Sequence, residues 1–206
     1  VDEVAGFRFL KLNAPRDHLA PLVLLHGSGG CETSLMEFAR GIAPDRGAFA
    51  LRGQIPWEGG YAFFRRNADR TLDQQDLSAR AAQLCDLLKQ LSGPGHRRPL
   101  LLGYSNGAIM AAAAVIKAPE LSSGALLFRP LSPWAEASFP QLHGYPVLLV
   151  GGASDQRRQP SDTPHLAGQF EQAGCRVAAH ILPGGHAWDE DGQDHLLARE
   201  WLAGRP

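Results

Sequence analysis

A serine framed by glycines, Gly103-Tyr104-Ser105-Asn106-Gly107, is the part of this sequence best suited to do chemistry. The pattern is G-x-S-x-G, in which a sharp strand-to-helix turn lifts a serine hydroxyl above a sheet edge. The small flanking residues avoid the clash that such a turn creates. Glycine and serine are common, so the pentapeptide alone also reads as an ordinary turn. Its flanks favour the chemical reading: a strand-like run, Pro99–Leu102, leads in, and an alanine-rich helical stretch, Ser105–Lys117, leads out.

A serine hydroxyl is a weak nucleophile until a base takes its proton and a carboxylate orients that base. Around a G-x-S-x-G turn the chain order is serine, then acid, then histidine, each partner on a loop after a strand. Asp155 follows the apolar run Val147–Val150 through Gly151-Gly152-Ala153-Ser154, and His186 follows Val177–Ile181 through Leu182-Pro183-Gly184-Gly185. Ser105, Asp155 and His186 are therefore the expected catalytic triad. An isolated aspartate after a strand is often a turn former and a loop histidine is often merely solvated. Both would have to be coincidence here, along with their order. Asp162 is the best rival acid, but it sits where a helix cap before Pro164 is expected. His180 falls within a strand, His143 and His165 are not on post-strand loops, and His195 opens the last helix. His18 and His96 lie in polar, surface-like stretches.

His26-Gly27-Ser28-Gly29-Gly30 follows the first core strand, Leu22–Leu25. A loop there lends one backbone N–H to an oxyanion hole, and the residue after the nucleophile lends the second, which assigns the donors to Ser28 and Asn106. A phosphate-binding loop is the rival, but neither a Gly-Lys-Ser/Thr ending nor G-x-G-x-x-G spacing occurs. His26 reads as structural, bonding neighbouring loops.

The elements that must hold these residues alternate between strand and helix. A helix face recurs over Ser34–Ala43, a weak strand over Ala48–Leu51, and the clearest amphipathic helix over Asp73–Leu91, ending near Ser92-Gly93-Pro94. Leu126–Phe128 is a further strand, Pro164–Ala173 and His195–Leu202 are helices, and Phe7–Leu12 adds an edge strand. The alternation predicts an α/β fold, one domain over residues 1–206, with a mainly parallel central sheet and helices on both faces. All three triad candidates then meet at the carboxyl edge of the sheet, where ligands gather in such folds.

With these motifs the sequence resembles the bacterial carboxylesterase/phospholipase family of α/β-hydrolases, related to acyl-protein thioesterases and dienelactone hydrolases. The matching pieces are Leu25-His26-Gly27-Ser28-Gly29-Gly30, Phe63-Phe64-Arg65-Arg66, Gly103 to Ala108, Arg129-Pro130, Gly152-Ala153-Ser154-Asp155 and Pro183-Gly184-Gly185-His186. They span nearly the whole chain in the family's order. The resemblance implies hydrolysis of small carboxylic esters through an acyl-enzyme, without a cofactor, often by a homodimer. Two departures stand out. The N-terminal part is short, which predicts that one of the usual first strands is missing, and Gln156-Arg157-Arg158-Gln159-Pro160 replaces a more apolar segment after the acid. Dienelactone hydrolases carry cysteine where this chain has Ser105.

Only about 17 residues separate the strand ending at Phe128 from the one starting at Pro146, too few for a helical cap, so an open, shallow site is expected. The aromatics Trp57, Phe63, Phe64, Trp134 and Trp188 fall in loops on the catalytic side. They are the candidate substrate pocket, with core cover as the alternative for each. Arg65 joins them because it or Arg66 could bind a substrate carboxylate, the other serving as an ion-pair partner.

Hydrophobic residues make up 44% and charged residues 20% of the 206-residue chain, enough to bury a core. A net charge of −1 gives no electrostatic reason to expect nucleic acid or an anionic membrane as partner; the partner that the resemblance implies is a small-molecule ester. Cys31, Cys85 and Cys175 are odd in number and widely spaced, and H-x-x-x-H is absent, so neither a disulfide framework nor a metal site is expected. Val1-Asp2-Glu3-Val4 lacks the basic head and apolar run of a signal peptide, which with the cysteines predicts a cytoplasmic protein. The triad would equally serve a lysophospholipase or acyl thioesterase. A non-catalytic binding module on a hydrolase scaffold would be expected to have lost one of the three residues.

Overall fold

The computed structural model describes residues 2–16, 18–92, 97–203 and 205. Its centre is an eight-stranded sheet, and the alternating burial of the strands explains why. Leu22–Leu25 (β3) sends Val23 and Leu25 into one core and Leu22 and Leu24 into another. Leu100–Tyr104 (β7) divides Leu101 from Leu100 and Leu102 in the same way, as the two-residue period of a strand requires. Strands buried on both faces need helices on both faces. The first core is closed by Gln74–Leu91 (α2), Asn106–Lys117 (α3) and Asp162–Gln172 (α4), the second by Met36–Ile42 (α1) and Gln193–Ala203 (α5).

The remaining strands are Asp2–Val4 (β1), Phe7–Leu12 (β2), Ala48–Arg52 (β4), Gly124–Phe128 (β8), Pro146–Gly152 (β9) and Arg176–Leu182 (β10). The sheet order is β1-β2-β4-β3-β7-β8-β9-β10. β1 pairs antiparallel with β2 and β2 with β4; every other pairing is parallel. β3, β4, β7, β8, β9 and β10 therefore all end at one edge. Two expectations about the N-terminus are corrected. Phe7–Leu12 is not at the edge, because β1 covers its outer side, and so the short N-terminal part still supplies two antiparallel first strands. Three residues suffice for β1 because Ala5 and Gly6, both at positive φ, turn the chain straight back.

A small antiparallel hairpin, Ile55–Trp57 (β5) with Gly60–Ala62 (β6), stands apart from the sheet. Its two-residue turn holds Glu58 and Gly59 at φ 47° and 81°, the mirror-image turn whose twist suits a hairpin. Residues 129–145, between β8 and β9, contain no helix or strand, so no cap domain covers the carboxyl edge at that point. The expected stop of α2 at Gly93-Pro94 and the reading of His96 lie outside the described residues. Among the described residues no helix is long and apolar enough to cross a membrane.

Candidate active site

Ser105 sits between β7 and α3 with φ 53° and ψ −108°, a backbone state that costs a non-glycine residue on the order of 1–3 kcal/mol. The glycines on either side make the turn sterically feasible. A Cβ on Gly107 would run into the Leu25 carbonyl of β3, and one on Gly103 into the Gly107 carbonyl. The Ser105 N–H donates to the Phe128 carbonyl at 2.9 Å, which ties the turn to β8.

Asp155 and His186 arrive beside this hydroxyl on two loops that bond each other. The Ala153 N–H donates to the Leu182 carbonyl and the Ser154 N–H to the Gly184 carbonyl, at 2.7 and 3.1 Å. His186 Nδ1 lies 2.7 Å from Asp155 Oδ2, and Nε2 lies 2.9 Å from Ser105 Oγ. The carboxylate side chain is 1% exposed and the imidazole 15%. The Arg157 N–H donates to Asp155 Oδ1 at 2.8 Å, so both carboxylate oxygens are engaged. Because Asp155 accepts from Nδ1–H, Nε2 carries the lone pair that faces the serine hydroxyl. Burial lowers the His186 pKa below its ordinary value; the bond to Asp155 and its charge pull the other way, and the Arg158 and Arg157 cations add to the lowering. A neutral imidazole at physiological pH is the form able to act as a base.

The His26–Gly30 loop lies against the nucleophile, where a Cβ on Gly27 would stand 2.9 Å from the Tyr104 ring and 3.6 Å from Ser105 Cβ. His26 is structural, as its surroundings dictate. Nε2 accepts from the Gly53 N–H at 3.0 Å, which leaves Nδ1 to donate to the Gly27 carbonyl at 2.7 Å. Burial, the largest influence, keeps this ring neutral by lowering its pKa. The β5–β6 hairpin braces the loop from outside through paired bonds between Tyr61 and Gly29–Gly30. Asn106 opens α3, so its backbone N–H has no acceptor within the helix. Its side-chain Oδ1 accepts from the Phe63 N–H at 2.8 Å.

Seen whole, the chain is similar to proteins of one kind. It is 30% identical over 183 residues to the putative hydrolase MhqD of Bacillus subtilis, covering 87% of this chain and 90% of that protein. A carboxylesterase from Mesorhizobium loti superposes with a TM-score of 0.90 at 31% identity, over 99% of this chain and 97% of the other. The Bacillus cereus carboxylesterase gives 0.89 at 26% identity, over 96% and 94%. No protein-family model matches the chain. The chain belongs to the bacterial carboxylesterase/phospholipase family of α/β-hydrolases.

Within this family frame the expected pocket needs correction. Phe63 and Phe64 are 0% and 1% exposed and belong to the main core, so they have no surface to offer a substrate. Trp134 packs under the Lys117 ammonium at the far end of α3, eleven residues or about 16 Å along the helix from Asn106. Trp188 stacks on Phe38 and leans on Tyr104 and Phe128, lying beneath the His186 loop as support. Trp57, exposed at the end of β5, remains beside the loop of Ser28. Arg65 faces solvent, with its backbone N–H bonded to Asp76, and neither it nor Arg66 forms an ion pair among the described residues. Asp162 does not cap α4 but stands in its first turn, accepting from the Gln159 N–H. Two cavities, of about 510 and 310 Å³, open at the amino-terminal ends of β3 and β4, away from Ser105.

Three charged residues important to the site have no role assigned by the sequence motifs. Arg129, fully buried at φ 51° after β8, donates to the carbonyls of Gly185 at 3.0 Å and Ala187 at 2.8 Å, one on each side of His186. Asp194 of α5 holds the same guanidinium by two bonds of 2.9 and 2.8 Å. Arg158, from the segment just after the acid, donates through Nη2 to Ser105 Oγ at 3.3 Å.

Proposed function

We propose that this protein is a serine carboxylesterase that cleaves small carboxylic esters through an acyl-enzyme intermediate. The observation that carries the reading is the continuous line of hydrogen bonds from Ser105 Oγ through His186 to Asp155. Ser105 Oγ attacks the ester carbonyl carbon while His186 Nε2 takes its proton. Asp155 supports the imidazolium formed in that step. The negative charge on the former carbonyl oxygen is met by the backbone N–H groups of Ser28 and Asn106, which need not reorganise as the charge develops. As the tetrahedral centre collapses, His186 returns the proton to the departing alcohol. Water, activated by the same imidazole, then releases the carboxylic acid and restores Ser105. No cap sheaths the site between β8 and β9, and this favours short acyl groups over long chains. The similarity to two carboxylesterases over nearly the whole chain supports ester substrates in preference to other carbonyl compounds.

The test is labelling with a fluorophosphonate followed by peptide mass mapping, together with turnover of p-nitrophenyl acetate. Ser105 should carry the label and Ser105→Ala should lose nearly all turnover. A label on another serine, or a Ser105→Ala enzyme of undiminished activity, would overturn the assignment.

A further inference from the structure

Arg158 brings a cation to the reaction centre and, among the described residues, forms no ion pair with a carboxylate. Its Nε–H is shared between the carbonyls of Arg129 and Pro130 at 3.0 and 3.1 Å, Nη1 donates to the Arg157 carbonyl at 3.0 Å, and Nη2 to Ser105 Oγ. Of the five guanidinium N–H groups two remain without a partner among the described residues. Burial, then repulsion from the nearby Arg66 cation, pulls its pKa down to about 10, while Asp155 and Asp162 oppose the shift from a distance. It therefore stays charged at neutral pH. A half-buried cation fixed by neutral carbonyls, with donors to spare, is poorly compensated by the protein alone. An incoming anion would compensate it.

We propose that Arg158 is a specificity-determining residue that selects esters bearing a carboxylate close to the scissile bond. The proposal rests on the serine esterase reading and adds the substrate class to it. The spacing follows from the contact with the nucleophile. A reacting carbonyl carbon sits about 3–3.5 Å from the attacking oxygen. A carboxylate oxygen bonded to the guanidinium lies roughly 2.8 Å from its nitrogen. With Nη2 3.3 Å from Ser105 Oγ, a carboxylate two or three bonds from the reacting carbonyl reaches both. Half-esters of short dicarboxylic acids have this form. Hydrolysis of one yields the alcohol and the dicarboxylate by the acyl-enzyme steps above.

The experiment compares monobenzyl succinate with benzyl 4-oxopentanoate, in which a methyl ketone replaces the carboxylate at the same chain length. Benzyl alcohol release is measured for the wild type and for Arg158→Gln, with p-nitrophenyl acetate as a third substrate. The wild type should favour the anionic ester in kcat/KM by on the order of 10- to 100-fold, the range of a charge-assisted hydrogen bond. In Arg158→Gln that preference should collapse toward parity, chiefly through loss on the anionic ester. Wild-type parity, or a preference for the ketone ester, overturns the proposal even if the variant fails to fold. An equal loss on both benzyl esters in a folded variant also overturns it, and assigns Arg158 to holding its loop. Turnover of p-nitrophenyl acetate with neither benzyl ester cleaved removes the proposal and leaves the esterase reading standing. Absence of all turnover and of Ser105 labelling removes both.

Discussion

Replacing Asp194 by asparagine should be the most damaging conservative change in the molecule. The Arg129 and Asp194 side chains are 0% and 1% exposed and joined by two bonds, and Asp194 Oδ2 also accepts from the Asp189 N–H at 2.8 Å. Asparagine keeps the size and one acceptor but leaves the guanidinium charge unpaired in an apolar interior. Removing one partner of such a pair costs about 3–5 kcal/mol. For a chain of this length each kcal/mol moves the melting temperature by about 2–4 °C, so a fall of roughly 6–20 °C is expected. Urea denaturation gives the same quantity through its midpoint, with the slope unchanged if the native state stays compact. The double replacement Arg129→Met with Asp194→Leu removes both charges and should recover much of the stability lost by Asp194→Asn. It cannot recover activity to the same degree, because the carbonyls of Gly185 and Ala187 lose the donor that fixes them on either side of His186. A loss below about 1 kcal/mol for Asp194→Asn, or a double variant no more stable than the single one, would refute the reasoning.

Other outcomes follow from the site itself. Asp155→Asn should lower turnover by about 10³- to 10⁴-fold while the protein stays folded, whereas Asp162→Asn should change it little; the reverse pattern would move the acid to Asp162. The acid limb of the kcat/KM profile should have its midpoint below about 6.5, since burial and two arginines favour the neutral imidazole over its cation. Activity is then retained as the pH falls toward 6.5 and lost only below it, and a midpoint clearly above that value would contradict this electrostatic account. Along a series of p-nitrophenyl esters, kcat/KM should peak between acetyl and about hexanoyl, because each methylene gains roughly 0.8 kcal/mol only while there is surface to bury it. A steady rise through dodecanoyl would point to a lysophospholipase or a long-chain thioesterase instead.

What the sequence makes legible here is what local rules govern. Strand periodicity and turn residues located β3, β7, β8, β9 and β10 to within about two residues at each end, the usual latitude in such boundaries. The fixed order of serine, acid and histidine, each after a strand (β7, β9 and β10), is enough to single out three residues that the fold then brings into contact. Interactions between distant segments were not legible in the same way. Phe63 and Phe64 stand in a loop between two predicted elements, and an aromatic there reads alike as pocket wall or core; only burial in the main core, with Phe63 beside Phe7 of β2, decides for the core. The β5–β6 hairpin carried one weak signal, a Glu-Gly pair at its turn, blurred by Pro56 and by strands of three residues. Arg129 meets Asp194 across 65 residues and Arg158 meets Ser105 across 53, and no periodicity encodes either pairing. That difference bears on function. The hydrolytic chemistry follows from short motifs repeated at strand ends, so one loop can change without disturbing the reaction. The segment 156–160 is such a loop: it lies just after the acid and sends its third residue back to the nucleophile. Under the proposal made for Arg158, substrate choice in this chain is written where the local rules are silent, in the charge that this residue adds beside Ser105.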